Sequence, residues 1–314
     1  MGKKFFEFVI IGAGVAGLTA AQYGARSGLT TLLIDGAVAG GQALNISTLE
    51  NFPGFFPSVK GSTFIDNMKA QAQNFGAEIL QANVKVIDKI KNEFVIETDK
   101  GKIYSYTILI ATGAEHRKLN VQGEDKFFGK GVSYCATCDG PFFKNKKILV
   151  IGGGDSACEE ALFLTSISDD VTLMHRRSEL KAQKAIQNKI SKNKKIKVIY
   201  NSEIVEIKGN NNVESVLVKN NKNNITEEMY FDGIFIFVGM NPRTNLVNML
   251  KKDNGGYLIT NYRMETSVLG MYAAGDVRAK PFRQLITAAS DGAIAAHQAH
   301  EYVILLKNSK SETK

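Results

Sequence analysis

Phe8-Val9-Ile10-Ile11-Gly12-Ala13-Gly14-Val15-Ala16-Gly17 is the stretch whose reading decides the fold. Four consecutive apolar residues, three of them β-branched, suit a strand buried on both faces. Three glycines at G-x-G-x-x-G spacing follow and open a helix that reaches about Gly28. Strand, tight turn and helix begin a βαβ dinucleotide-binding unit. Gly12 permits the tight turn, Gly14 lets a pyrophosphate approach the backbone, and Gly17 lets the helix pack closely on the strand. The helix begins near Gly14 and turns the positive end of its dipole toward the phosphates. A second strand, 31–34, ends at Asp35. A carboxylate roughly 20 residues beyond the glycines is placed to accept hydrogen bonds from the adenosine ribose.

Working outward, the same unit occurs twice. The first copy continues with alternating strands at 83–90, 93–98 and 102–111, the last ending at Ala111-Thr112-Gly113. The second opens with an apolar strand at 147–151, then Gly152-Gly153-Gly154-Asp155-Ser156-Ala157 and a helix to about Ser166. Its strand 170–174 ends at His175-Arg176-Arg177, and strands near 203–208, 213–219 and 225–238 follow, ending at Gly239. The Asn-rich stretches 210–212 and 220–224 read as turns, because Asn tolerates left-handed conformations. The tail from residue 245 is too short for a third domain. Its strand 270–274 and helix 285–306 need a sheet to pack on, and the simplest one is the first. The expected fold is α/β, with two Rossmann-like nucleotide-binding domains of the three-layer ββα type, the second inserted into the first. The first domain takes 1–116 and 245–314 and the second 117–244, with crossings near 115–118 and 242–245.

The two copies differ where the second strand ends. The first has Asp35; the second has Arg176 and Arg177. A carboxylate repels a 2′-phosphate, whereas guanidinium groups bind it with charge-assisted hydrogen bonds. The first site therefore suits a nucleotide with a free ribose, as in FAD, and the second suits NADPH. Gly152, Gly154 and Ala157 repeat the glycine roles, and Asp155 and Ser156 at the helix start belong to the NADPH set. His175 reads as packing or as contact.

With 314 residues, 44% hydrophobic and 22% charged, the chain has an ordinary globular composition and length for about two domains. No run of about 18 apolar residues reads as a membrane span, and the short, charged start before the first strand does not read as a signal peptide. A cytoplasmic protein is expected. The net charge of +8 owes much to seven lysines within 181–197. No aromatic residues interleave with them and no recognition motif accompanies them, so they read as a solvated face and not as a nucleic-acid site. The three cysteines are Cys135, Cys138 and Cys158. A C-x-x-C pair invites zinc or redox chemistry. No second ligand pair is evident, so redox chemistry is the reading and no metal is expected. Cys158 reads as a small packed hydrophobe.

Cys135-Ala136-Thr137-Cys138-Asp139-Gly140 just before the Gly152 motif, with Gly40-Gly41-Gln42, Glu50-Asn51-Phe52-Pro53-Gly54, Ala111-Thr112-Gly113, His175-Arg176-Arg177, Tyr272-Ala273-Ala274-Gly275-Asp276-Val277 and Arg283-Gln284, resembles the low-molecular-weight, bacterial-type thioredoxin reductases over essentially the whole chain. The resemblance implies that Gly41, Gln42, Asn51, Thr112 and Gly113 belong to the FAD site. It implies further that Asp276 holds the ribityl chain, and that Arg283, Gln284 and the helix start after them lie beside the isoalloxazine. It implies electron flow from NADPH through FAD to the Cys135–Cys138 disulfide and on to oxidised thioredoxin, with Cys138 nearer the flavin, Cys135 attacking thioredoxin, and Asp139 as general acid. Such an acid needs desolvation to raise its pKa. A homodimer and a rotation of the NADPH domain between half-reactions are also implied. Lys181 stands where the family commonly has a further arginine, which keeps the charge but loses the planar fork. A ferredoxin- or quinone-linked flavin reductase would share both nucleotide sites but lack the C-x-x-C. A non-enzymatic sensor would bind without turnover, and the flavoprotein of a peroxide-reducing system usually carries an extra N-terminal region.

Overall fold

The computed structural model describes residues 4–46, 49 and 51–311; Glu50 of the matching segment lies outside the described residues. The chain forms two compact units, Met1–Glu115 with Asn241–Lys314, and His116–Met240.

The first unit opens with β1 (Phe5–Ile11), α1 (Val15–Arg26), β2 (Thr31–Asp35), α2 (Gly61–Asn74), β3 (Glu78–Gln81), β4 (Val84–Ile90), β5 (Glu93–Thr98), β6 (Gly101–Ile110) and β7 (Ala114–His116). Its sheet runs β3-β2-β1-β6-β5-β4, parallel from β3 to β6 and antiparallel through β5 and β4. The continuous apolar run of β1 is explained by burial on both faces. Phe8 and Ile10 pack with Leu18, Leu33 and Phe64 on one side, and Val9 and Ile11 with Leu32, Ile34 and Ile96 on the other. A Cβ at Gly17 would collide with Gly12 O, which is why the helix can lie so close to the turn. α2 and β3 fill a segment to which the sequence pattern assigned no element; α2 buries Phe64, Ile65 and Ala72 along one face.

The second unit contains β8 (Val132–Ser133), α3 (Ala136–Asp139), β9 (Ile148–Gly152), α4 (Asp155–Leu164), β10 (Val171–His175), α5 (Lys184–Lys192), β11 (Ile196–Tyr200), β12 (Ser202–Gly209), β13 (Val213–Asn220), β14 (Thr226–Tyr230) and β15 (Gly233–Phe237). A parallel sheet, β11-β10-β9-β15-β8, lies beside an antiparallel meander, β12-β13-β14. The single strand expected over 225–238 is two strands. Asp232 breaks it: its carboxylate accepts from Lys147 N at 2.8 Å and its own N–H donates to Lys147 O at 2.9 Å. The chain thereby leaves the meander and enters the parallel sheet, pairing with β9.

The tail brings β16 (Met240–Pro242), β17 (Met271–Ala273) and α6 (Leu285–Ser311). β7 and β16 form a two-stranded sheet, and β17 adds to the first sheet, parallel to β6. α6 lies on α1 so closely that a Cβ at Gly292 would strike Ala16 O. The return crossing falls between Met240 and Asn241 and not after residue 244, because Arg243 N donates to Gly113 O at 3.0 Å and Thr244 Oγ1 to Gly256 O at 3.3 Å, both within the first unit. Among the described residues no helix is long and apolar enough to cross a membrane, and no His/Cys/Asp/Glu cluster could hold a metal ion.

Candidate active site

In the first unit the predicted residues gather at one end of the sheet. Asp35 closes β2, and its Oδ2 accepts from Ala13 N at 2.6 Å while Oδ1 accepts from Ala37 N at 2.9 Å. The carboxylate thus braces the glycine turn and keeps lone pairs for a ribose. Gly40 N donates to Ala13 O at 2.7 Å and brings Gly41 beside Gly14. Gln42 Nε2 donates to Ala114 O, next to Thr112-Gly113, and Thr112 Oγ1 donates to Arg243 O at 2.6 Å. Asn51 Nδ2 donates to Gln284 Oε1 at 3.2 Å. Gln284 precedes α6, where its N–H donates to Thr287 Oγ1 at 3.1 Å and its carbonyl accepts from the same hydroxyl at 3.0 Å, a reciprocal cap. The Arg283 guanidinium lies 4.1 Å over the Tyr257 ring.

These residues fit a dinucleotide. A Cβ at Gly14 would meet nothing within 4 Å, and no side chain caps α1, so the helix end is open for a pyrophosphate. Arg283 Nε is buried without a hydrogen-bond partner among the described residues, and an orphaned buried polar atom calls for a ligand. Asp276 Oδ1 is buried against the Lys280 ammonium at 3.4 Å. Burial pushes the Asp276 carboxyl up, against the pull of Lys280 and Arg283. The pattern reading missed Arg278, Lys280 and Asp291, which surround Asp276 with buried charge. Asp291 in α6, and Arg278 and Lys280 in the loop before it, carry no local signal that they face inward.

In the second unit the basic loop is tied to its glycine turn. Lys181 N and Ala182 N donate to Gly153 O at 2.6 and 3.1 Å. Asp155 holds the loop from the other side, accepting from Gln183 N at 2.7 Å and Gln183 Nε2 at 3.1 Å. Arg176, Arg177, Lys181 and Ser156 are exposed, and Gly152, Ala157 and His175 are buried. A Cβ at Gly153 would run into the His175 ring, so His175 packs against the turn. Burial, helped by Arg177, lowers its imidazole pKa, and its Nε2 is buried without a hydrogen-bond partner among the described residues. Gly154 is open and α4 has no side-chain cap. The arrangement fits a second dinucleotide, with cations at its 2′-phosphate end.

Cys135 and Cys138 are disulfide-bonded, with Cα atoms 5.4 Å apart. Cys135 caps α3: its Sγ accepts from Cys138 N at 3.3 Å and lies 3.4 Å from Thr137 Oγ1. Ser133 Oγ donates to Asp139 Oδ2 at 2.6 Å and accepts from Cys135 N at 3.0 Å. Burial raises the Asp139 pKa, outweighing the Ser133 hydrogen bond that lowers it. A carboxyl whose pKa burial raises, directly after Cys138 in the chain, is what a general acid requires. Tyr134, next in the chain, donates to the buried Glu124 at 2.7 Å. Cys158 is fully buried in the apolar core, and burial with the nearby charges of Asp155 and Glu159 pushes its thiol up to about 11. It is a packed hydrophobe.

The sequence pattern of the family described as Pyridine nucleotide-disulphide oxidoreductase matches residues 6–293. The thioredoxin reductase of Treponema pallidum (strain Nichols) is 50% identical over 303 residues, covering 96% of this chain and 99% of that protein. That of Listeria monocytogenes is 44% identical over 310 residues, 98% of this chain and 97% of its own. The crystal structure of the Streptococcus pyogenes MGAS5005 thioredoxin reductase, 41% identical, superposes with a TM-score of 0.91 over 96% of this chain and 99% of that one.

Proposed function

The chain belongs to the pyridine nucleotide-disulphide oxidoreductase family, and from that membership we propose that it is an NADPH-dependent thioredoxin-disulfide reductase, carrying electrons from NADPH through FAD and the Cys135–Cys138 disulfide to oxidised thioredoxin. The observation that carries this reading is the disulfide itself, set beside the half-buried acid Asp139 in the unit that also holds the basic dinucleotide turn. NADPH-dependent reduction of thioredoxin by the purified protein tests it directly; oxidation of NADPH without formation of reduced thioredoxin would refute it.

Gly12, Gly14, Gly17, Asp35, Gly41, Gln42, Asn51, Thr112, Gly113, Asp276, Arg283 and Gln284 hold FAD. Gly152, Gly154, Asp155, Ser156, Ala157, His175, Arg176, Arg177 and Lys181 hold NADPH, Asp155 by bracing the loop and His175 by packing under it. When bound, FAD supplies a two-electron carrier between a nicotinamide and a disulfide. Opening of the disulfide leaves Cys135 as the departing sulfur, and Asp139 gives it a proton. Cys135 returns that proton to the Asp139 carboxylate and, as a thiolate, attacks the thioredoxin disulfide, forming a mixed disulfide and expelling a thioredoxin thiolate. Cys138 attacks Cys135 in turn, which restores the intramolecular disulfide and releases reduced thioredoxin.

The pH dependence follows from Asp139. Its raised pKa keeps the acid protonated to higher pH than a free carboxyl, and the proton supply is lost as pH rises through that value. Asp139→Asn is expected to slow thioredoxin turnover about 10²–10⁴-fold and to abolish this alkaline limb. A pH–rate profile with the limb intact in the variant would assign it to another group.

Disulfide and nicotinamide turn share the second unit, whereas FAD belongs to the first, so both must reach one flavin ring in succession. The second unit rotates between half-reactions, hinged at the two crossings between Glu115 and His116 and between Met240 and Asn241, as hinge closure needs only a few residues. Undiminished turnover after rigid cross-linking of the units would rule the rotation out. The enzyme acts in the cytoplasm as a homodimer; sedimentation of the purified protein checks the second statement.

A further inference from the structure

We infer that Lys280 is a positioning residue for the first dinucleotide site, holding the Asp276 carboxylate toward the ribityl chain and tying the Asp276 turn to the first turn of α6. The inference rests on the reading of Asp276 as an FAD contact.

The Lys280 side chain is only 6% exposed, and its ammonium has three oxygens around it: Asp291 Oδ2 at 3.2 Å, Thr287 Oγ1 at 3.3 Å and Asp276 Oδ1 at 3.4 Å. Three donors thus face three acceptors. Each acceptor belongs to something the site uses. Asp291 accepts Gly275 N at 3.0 Å and so fixes the backbone immediately before Asp276. Thr287 closes the cap at Gln284, directly after Arg283. Asp276 presents its buried Oδ1 to the ammonium.

Two acids, Asp276 and Asp291, face three bases, Arg278, Lys280 and Arg283. Arg278 Nη1 takes Asp291 Oδ1 at 2.7 Å, and Arg278 Nε is satisfied by Thr260 at 2.9 Å. Asp291 is therefore already paired without Lys280. Stability of α6 does not account for the lysine either. A cation beside a helix N-terminus opposes the dipole, and burying an ammonium costs free energy. What the lysine adds is a hold on Asp276, whose side chain remains 26% exposed. The exposed face of the carboxylate is left to a ligand, and the covered side is gripped from behind. Removal of that grip leaves a partly buried carboxylate that protonates or turns away, and either change loses an acceptor for the sugar-like hydroxyls.

The experiment follows release of FAD from the full-length holoenzyme on dilution, by flavin fluorescence, beside the thermal midpoint of each variant. The variants are Lys280→Met, Lys280→Gln, Lys280→Arg, Asp276→Asn and the double variant Asp276→Asn with Lys280→Gln. Both uncharged replacements are expected to weaken FAD binding about 10- to 100-fold, and Lys280→Arg to recover most of it. With Asp276→Asn already in place, Lys280→Gln should weaken binding by no more than about twofold further. Unchanged FAD affinity in Lys280→Gln together with a weakened Asp276→Asn overturns the inference alone. Fully additive losses overturn it too, since the lysine would then act independently of Asp276. Unchanged affinity in Asp276→Asn overturns the reading of Asp276 as an FAD contact, and the inference with it. If Lys280→Met does not fold, Lys280→Gln and Lys280→Arg decide the question.

Discussion

Cys135→Ser and Cys138→Ser are each expected to reduce NADPH-dependent thioredoxin reduction to background while FAD stays bound and reducible by NADPH. The two sulfurs form one redox unit, linked across the single turn of α3. One sulfur alone cannot store two electrons as a dithiol or resolve a mixed disulfide. Groups that act as a unit are non-additive, so the double serine variant should be no slower than either single one. Neither cysteine belongs to the first unit, where the FAD residues gather, and flavin content should therefore be unchanged. Cys158→Ser is the control. Its hydroxyl would enter an apolar core of Ala157, Ala161, Leu173 and Phe235 and cost about 1–3 kcal/mol of stability, with turnover unaffected. Near-normal thioredoxin turnover in either Cys135→Ser or Cys138→Ser would refute the assignment.

NADPH is expected to be preferred over NADH by roughly 10²–10⁴-fold in kcat/KM. Hydrogen bonds to charged groups contribute about 1.5–3 kcal/mol each, and two arginines on one 2′-phosphate give that range. Arg176 and Arg177 follow directly on β10 and are exposed. The loop they open is held to the glycine turn through Gly153 and Asp155, so the guanidinium groups are presented from a fixed backbone. Arg176→Ala and Arg177→Ala should each raise KM for NADPH about 10- to 100-fold, leave kcat nearly unchanged, and barely alter the kinetics with NADH. Lys181, pinned at the far end of the same loop, offers a point charge without the planar fork. Lys181→Arg is expected to sharpen the preference. Equal kcat/KM for the two coenzymes in the unsubstituted enzyme would refute the proposal and mark the loop as indifferent to the 2′-phosphate.

Much of the fold and of the candidate site is legible in the amino-acid sequence, because the signals are local. Phe8 to Gly17 carries its strand, its turn and its helix start within ten residues. The contrast between Asp35 and Arg176-Arg177 is one of charge at equivalent strand ends, and the C-x-x-C pair is its own signal. The expected strand at 225–238 failed for the opposite reason. The apolar pattern runs on through Phe231, and only the pairing of Asp232 with Lys147 across the sheet divides it. The segment of α2 and β3 does carry a local signal, Phe64, Ile65, Met68 and Ala72 at helical spacing, which the pattern reading passed over; its partners lie in α1 and β2.

By itself the sequence indicated most of the elements, two glycine turns whose following strands end in opposite charge, and a C-x-x-C pair suited to redox chemistry. These follow from backbone sterics at glycine, from side-chain periodicity and from formal charge, all of which act over a few residues. Tertiary structure alone decided the environments. It set the burial that raises Asp139 and the Ser133 hydroxyl that opposes it. It diverted Asp155 to Gln183, folded His175 under Gly153, and closed Arg278, Lys280 and Asp291 around Asp276. Desolvation and ion pairing depend on what the rest of the chain packs against a group, and no short window of sequence contains that information.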